Sequence, residues 1–182
     1  MSHAASVAGR DRLRLFCALR LPDDVLDAIE RWGRDALAER VVRRENLHIT
    51  LAFLGPRPAG ELAAVVEATG DAARAARPIT LVPVRYRETR SVGMLVLSDE
   101  HGAAGAFAAD LFARLAALGV YEPEARRWLP HVTVVRFRRR PRLDPPLPPI
   151  GRFSPSDAAV YHSVLRSAGA QYEVVESFAL GG

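Results

Sequence analysis

The sequence predicts a mixed α and β fold in which helices are interleaved with short strands. Three observations carry this expectation. Apolar runs of strand length alternate with Ala-rich amphipathic stretches along the chain. Gly and Pro mark the boundaries between them. The composition, 49% hydrophobic and 25% charged over 182 residues, suits a chain that buries a real core.

Taken in order, residues 12–20 (RLRLFCALR) read as the first strand. A helix is expected over residues 21–40, opened by Pro22, with Asp23 and Asp24 where the helix dipole favours acids. Residues 48–54 (HITLAFL) read as a strand ended by Gly55-Pro56. Residues 61–76 are helical, with Gly70 as a break or an end. Two strands, 81–88 and 93–98, are joined by a turn near Thr89–Val92. A helix over 102–119 stops at Gly119, and 131–137 (HVTVVRF) is another strand. A Pro-rich basic connection leads to two closing strands, 156–166 and 170–180, joined through Gly169. Residues 1–11 are expected to form a flexible tail. No sharp linker divides residues 12–182, so they are expected to form a single domain.

Several function classes lose support at this level. No apolar run approaches the roughly 20 residues of a membrane helix. The opening segment has no apolar signal core, which points to a cytoplasmic protein. No Gly-x-Gly-x-x-Gly follows a strand, so a dinucleotide fold has no local support. Cys17 is the one cysteine; it reads as a small core residue. All 25 basic residues are arginine, which removes lysine chemistry. Arginine grips phosphate in a planar fork, so this bias fits an RNA or nucleotide partner. An Ala- and Arg-rich coding bias explains it as well.

One short pattern occurs twice: HITL at His48–Leu51 and HVTV at His131–Val134. Each is His, apolar, Thr, apolar at the start of an expected strand. Alternate strand residues share a face, so His48 and Thr50 point one way, and Ile49 and Leu51 point into a core. His131 and Thr133 share a face in the same manner. Two imidazoles and two hydroxyls on one cleft suit metal-free phosphodiester cleavage. One ring can be neutral and the other charged near neutral pH, so one accepts a proton and the other donates it. The hydroxyls would donate hydrogen bonds to non-bridging phosphate oxygens. No cofactor is needed. A single strand histidine is more often structural; the duplication is what favours chemistry.

The other candidates carry less. His3 falls in the tail, and His101 stands before a helix as a surface residue. His162 lacks a Thr two places on and is a minor candidate for the cleft. Trp32 reads as packing, whereas Trp128, just before the second motif, is a candidate base contact. Exposed aromatics for base stacking are not evident as a row. A metal hydrolase would need a third ligand, for which no local spacing is present.

The repeated His-x-Thr-x motif is the mark of the 2H phosphoesterases. The flanks NLHITLAFLG, PHVTVVRF and VYHSVLRSAGAQYEVV, with the opening LRLFCALRLPDDVLDAI, resemble the bacterial and archaeal RNA 2′,3′-cyclic phosphodiesterases, also called 2′-5′ RNA ligases. The resemblance covers about residues 12–180. It implies a bilobal α+β fold: two pseudo-symmetric lobes of mostly antiparallel sheet, with outer helices, around a central cleft. It implies that His48 is the proton donor and His131 the proton acceptor. Thr50 and Thr133 would hold the phosphate, and the product would be a 2′-phosphomonoester. It further implies an RNA partner with a 2′,3′-cyclic phosphate end; a weak reverse ligase reaction is expected of the same site, and a monomer without membrane association is expected because the sequence signals neither a dimer nor a membrane helix. Arg136 matches an arginine that many members carry after the second motif. Strict alternation puts it on the face opposite His131, so it reaches the phosphate only if the strand bulges or ends. The run Arg138–Arg140 with Arg142 is expected as a mobile basic loop near the cleft. A non-catalytic RNA- or nucleotide-binding module of the same fold is the alternative.

Overall fold

The computed structural model describes residues 11–37, 40–167 and 169–181. Residues 1–10 of the expected tail, His3 among them, lie outside the described residues.

The elements are β1 (Arg12–Leu19), α1 (Asp23–Ala36), β2 (Arg40–Val41), β3 (Ile49–Pro58), α2 (Leu62–Ala75), β4 (Leu81–Glu88), β5 (Val92–Asp99), α3 (Ala103–Ala117), β6 (His131–Arg136), β7 (Ala158–Arg166) and β8 (Gly169–Phe178). The strands form one eight-stranded sheet in the order β4-β5-β6-β3-β1-β7-β8, with β2 paired to β6. Every neighbouring pair is antiparallel.

A local twofold organises this sheet. β1, α1 and β3 form an antiparallel strand pair connected through a helix. β5, α3 and β6 repeat that plan. In each unit the second strand carries the His-x-Thr motif, and the two second strands are neighbours at the centre. β4 flanks β5, and β7 returns late in the chain to flank β1. These are the two expected halves, joined edge to edge.

Period-two patterning places the core. Leu13, Leu15, Cys17 and Leu19 of β1 are fully buried against the helices. α1 contributes Val25, Ile29 and Trp32, on the i, i+4, i+7 stripe of an amphipathic helix. α2 packs on α3. Cys17 lies in this core, where burial pushes its thiol up to about 11, so it is the inert core residue its context suggested. The Trp32 indole donates to the Pro146 carbonyl at 2.7 Å, tying the Pro-rich connection to α1.

Four sequence expectations need correction. The helix expected to reach residue 40 ends at Ala36, because Leu37 turns into the core with extended backbone and Val41 packs against Gly33. The strand expected to stop at Gly55-Pro56 runs on to Pro58. Gly55 takes φ +69° within it, and beyond Ile49 no described strand pairs with its outer edge. A proline without an N–H is harmless there. Gly70 does not break α2; a Cβ at this site would come within 2.9 Å of the Phe178 ring, so the glycine admits β8's last side chain.

The fourth concerns the basic connection, which is anchored rather than loose. Glu88, at the end of β4, is almost wholly buried. It accepts backbone N–H bonds from Arg142 at 2.9 Å and Leu143 at 2.8 Å, the Arg140 guanidinium at 3.1 Å and the Tyr86 hydroxyl at 3.2 Å. Burial pushes its carboxyl up, but these donors outweigh burial and leave it below the usual range. Arg142 is held at φ +61°, a left-handed conformation that the paired carboxylate stabilises. Replacing Glu88 with Ala is expected to cost about 2–3 kcal/mol, read from urea unfolding, because two turn N–H groups lose their acceptor. An unchanged midpoint would show that the connection is held by other contacts.

Candidate active site

The site begins with one pairing. β3 and β6 meet at a single bridge, Ile49↔Val132, and both side chains are buried on the helix side. His48 and Thr50 flank Ile49; His131 and Thr133 flank Val132. Extending the antiparallel register by one residue sets His48 opposite Thr133 and Thr50 opposite His131. The imidazoles are therefore diagonal across the strand pair.

An open cleft of about 1180 Å³ lies over this face, and His48, Thr50, Thr133 and Arg136 line it. His131 stands beside that wall, partly exposed, near enough that its charge acts on His48. Both rings are tethered identically. The Nδ1–H of His48 donates to the Asn46 carbonyl at 2.8 Å, and that of His131 to the Leu129 carbonyl at 2.8 Å. A carbonyl only accepts, so Nδ1 must carry the proton in both rings, and Nε2 is the nitrogen that this tether leaves available. In His48 that Nε2 accepts a hydrogen bond from the Thr50 hydroxyl at 2.9 Å.

The segment that holds His48 is itself pinned twice. Arg44 bonds Asp23 at 2.9 Å and also pairs with Asp27, both on α1. The Asn46 amide donates to the Ala170 carbonyl of β8 at 3.3 Å. Phe16 and Tyr172 then box the ring, with centroids at 5.0 and 5.5 Å from that of His48. Burial in this box, with the positive charges of Arg136 and His131, pushes His48 down to about 4 despite the opposing Asn46 bond. His48 is accordingly neutral at pH 7 in the free protein.

Arg136 resolves as its geometry required. β6 carries a bulge: Gly93 pairs with Val135 while Met94 pairs with Thr133. Val134 and Val135 are both buried, and Arg136 comes back to the cleft side. The strand interior thus absorbs one extra residue, which turns the arginine toward the histidines.

Other candidates fall elsewhere. Trp128 is not in the cleft wall; its indole donates to the Thr50 carbonyl at 3.0 Å, just where β3 leaves β6. It positions Thr50 instead of meeting a base. His162 is buried on the opposite face of β7, with Nδ1 at 3.8 Å from Glu173, and does not line the cleft. His101 is exposed before α3. None of Arg138, Arg139, Arg140 or Arg142 lines the cleft, since Glu88 holds that segment at β4. Cleft aromatics do exist: Phe16, Phe53 and Tyr172 all face it. They escaped the sequence reading because they come from three strands, and because β3 bulges at Leu51, shifting Phe53 onto the Thr50 face. Among the described residues no three His, Cys, Asp or Glu converge on a metal-binding position, and no helix is long and apolar enough to cross a membrane.

Comparison with known proteins adds a family. A model described as the 2'-5' RNA ligase superfamily matches residues 21–169. A Geobacillus stearothermophilus protein named RNA 2',3'-cyclic phosphodiesterase is 29% identical over 133 residues, which is 69% of this chain and 42% of that protein. The chain thus spans well under two thirds of that relative. Among solved structures, TT0787 of Thermus thermophilus superposes with a TM-score of 0.78 at 27% identity, over 93% of this chain and 99% of that one. E. coli LigT complexed with 3'-AMP gives a TM-score of 0.76 at 24% identity, over 95% and 100%; that likeness is one of fold.

The depressed His48 makes stability pH-dependent. The unfolded ring binds a proton below about 6.5, the folded one only near about 4. Between these values the unfolded state holds more protons, so stability rises with pH across the window and is lost as pH falls through it. His48→Gln, which has no titrating ring, is expected to lose less stability than the wild type between pH 6.5 and 4, by up to about 3 kcal/mol in urea unfolding. Equal losses would show that the ring is well solvated.

Proposed function

The chain belongs to the 2'-5' RNA ligase superfamily, whose model covers residues 21–169, and we propose that it hydrolyses RNA 2′,3′-cyclic phosphodiester ends to 2′-phosphomonoesters. The observation that carries this reading is the crosswise placement of two tethered His-Thr pairs about the Ile49↔Val132 bridge, with Arg136 turned in beside them. The name of the Geobacillus relative agrees with it.

In this reading the two histidines divide the proton transfers. The cyclic phosphate sits between the imidazoles, its non-bridging oxygens on the Thr50 and Thr133 hydroxyls and the Arg136 guanidinium. His131 Nε2 takes a proton from water as the new O–P bond forms. The P–O3′ bond breaks, and the 3′ oxygen takes a proton from His48 Nε2. The phosphate stays on the 2′ oxygen. His48 ends neutral and His131 charged, and solvent resets both. With a 5′-hydroxyl in place of water, the same proton transfers would form a 2′-5′ linkage and release the 3′-hydroxyl, which is the ligation reaction.

The direction of the His48 shift bears on the division of roles. A ring held near 4 is neutral in the free protein. As the acid, His48 acquires its proton when the anionic phosphate arrives, since an opposite charge at close range favours the charged form. The reverse division, with His48 as base, is favoured by the same shift and is the second reading.

Substitution of the leaving atom separates the two. His48→Ala and His131→Ala are each expected to lower kcat/KM on a 2′,3′-cyclic phosphate RNA by about 100-fold or more. With sulfur in place of the 3′ oxygen, the departing thiolate needs little protonation. His48→Ala should then recover most of its loss, whereas His131→Ala should not. Recovery in His131→Ala instead would reverse the roles, and full activity of either variant on the ordinary substrate would sink the reaction. Arg136→Gln is expected to lower kcat/KM about tenfold or more, seen in steady-state kinetics, through the lost charge-assisted contact.

A further inference from the structure

Two exposed arginines, Arg85 and Arg87 of β4, stand on the sheet face that carries the histidines, beyond His131 and away from the aromatic box of His48. The register places them there. Leu81 and Pro83 point to the helix side, where Pro83 pairs with the core residue Leu97. Strict alternation would send Arg85 and Arg87 the same way. A bulge between Pro83 and Arg85 shifts the count by one, so Arg85 pairs with Val96 and Arg87 with Met94. Val96 in turn pairs with His131, and Met94 with Thr133. Arg85 therefore lies in the row of His131 and Arg87 in the row of Thr133, two strand spacings or about 10 Å away. Tyr86, between them, turns to the helix side against Trp32 and Glu88.

Hydrolysis has no use for cations at this place. The attacking group is then water, which His131 alone serves, and the anionic phosphate is met by Arg136 and the two hydroxyls. Nor do these side chains hold the fold together. Among the described residues neither is in an ion pair, whereas Arg140 nearby is tied to Glu88. β4 is an edge strand, and charge on an edge strand discourages pairing with another chain. That protection needs charge anywhere along the edge. It does not account for a bulge that turns both arginines into the rows of His131 and Thr133.

The order of the strands supplies a reason. In an in-line displacement the nucleophile enters opposite the leaving group. With His48 at the leaving 3′ oxygen, the cyclic nucleotide lies toward β3 and β1. Whatever carries the attacking oxygen lies beyond His131, toward β5 and β4. When that oxygen is a 5′-hydroxyl, its own nucleotide bears a 3′ phosphate, the first anion of a second strand. Resting on the reading of the site as a cyclic phosphodiesterase with His131 as the base, we propose that Arg85 and Arg87 bind the backbone of a second RNA strand, the one whose 5′-hydroxyl attacks. The 5′ oxygen bonds to phosphorus as its proton passes to His131 Nε2. The P–O3′ bond breaks, and the 3′ oxygen takes the proton of His48 Nε2. The 2′ oxygen keeps the phosphorus, so the strands end joined 2′ to 5′. The two arginines are about 7 Å apart along β4, which lets each meet a separate phosphate of an extended strand.

The test offers two acceptors to a nucleoside 2′,3′-cyclic phosphate at low salt: a 5′-hydroxyl trinucleotide, and a nucleoside with the same 5′-hydroxyl and no phosphate. At equal concentration the trinucleotide is expected to give about tenfold more ligated product per hydrolysed donor. That advantage should fall with added salt, with a slope of about 0.7 for each phosphate contact. Arg85→Gln with Arg87→Gln, confirmed folded by urea unfolding, should remove most of it, and each substitution alone about threefold. A wild-type ratio near one, or a ratio unmoved by the double substitution, overturns the subsite. So does a double variant that slows hydrolysis of a cyclic-phosphate trinucleotide while the acceptor ratio holds, since the arginines then serve the donor strand. Hydrolysis with no ligated product from either acceptor overturns the subsite and leaves the phosphodiesterase reading standing. Reversed roles in the sulfur experiment overturn it too, because the nucleophile then enters beside His48. If the donor is not hydrolysed at all, the reading of the site falls, and fluorescence anisotropy of a labelled 5′-hydroxyl trinucleotide decides the subsite. Binding must weaken about tenfold in the double variant; equal binding overturns it.

Discussion

The hydrogen-bonded contact between Ile49 and Val132 is the constraint on which the rest depends. It is one residue pair long. A longer ladder between β3 and β6 would close the sheet flat over the histidines. Without the pair, the two motifs would belong to separate half-sheets with no fixed relation. A single bridge holds the registers together and lets the strands part at once. Two contacts manage the parting: Trp128 bonds the Thr50 carbonyl, and β2 takes up pairing with β6 where β3 has left it. The cleft lies on the face that carries Thr50 and Thr133, and β1, β7, β8 and residues 41–48 supply most of its lining.

The twofold that relates the motifs is kept in the tethers and broken in the surroundings. Both Nδ1 atoms donate to a carbonyl two residues back, so both rings present the same nitrogen. Only His48 is boxed by aromatic rings; His131 keeps contact with solvent. Burial in that box lowers the proton affinity of His48. The asymmetry comes from β7 and β8, which supply Tyr161, Tyr172 and the Ala170 carbonyl on one half alone.

What the sequence made legible, and what it hid, follows from the range of the interactions. Period-two alternation is local, so the placement of Thr50 with His48 and Thr133 with His131 could be read directly, as could the burial of Ile49 and Val132. The ends of β4, β5, α3 and β8 were close to expectation for the same reason. Bulges break that arithmetic. The extra residues at Leu51 and near Val134 move Phe53 and Arg136 onto the cleft face, and each bulge is set by a neighbouring strand distant in sequence. Long-range contacts also decided Glu88, whose turn partners lie more than fifty residues downstream. The true end of α1 depended on Val41 meeting Gly33. Nothing in the local pattern of RRRPRL announces that its backbone is held by a buried carboxylate.

The pairing of β1 with β7 also has a consequence for biosynthesis. A nascent chain that has emerged only as far as Arg136 already contains both His-x-Thr motifs. It lacks Tyr161, Tyr172 and the Ala170 carbonyl that anchors the Asn46 turn. In that state the His48 ring keeps only Phe16 of its box, and its turn lacks one of its two anchors. The last hairpin to leave the ribosome therefore finishes the first half of the site.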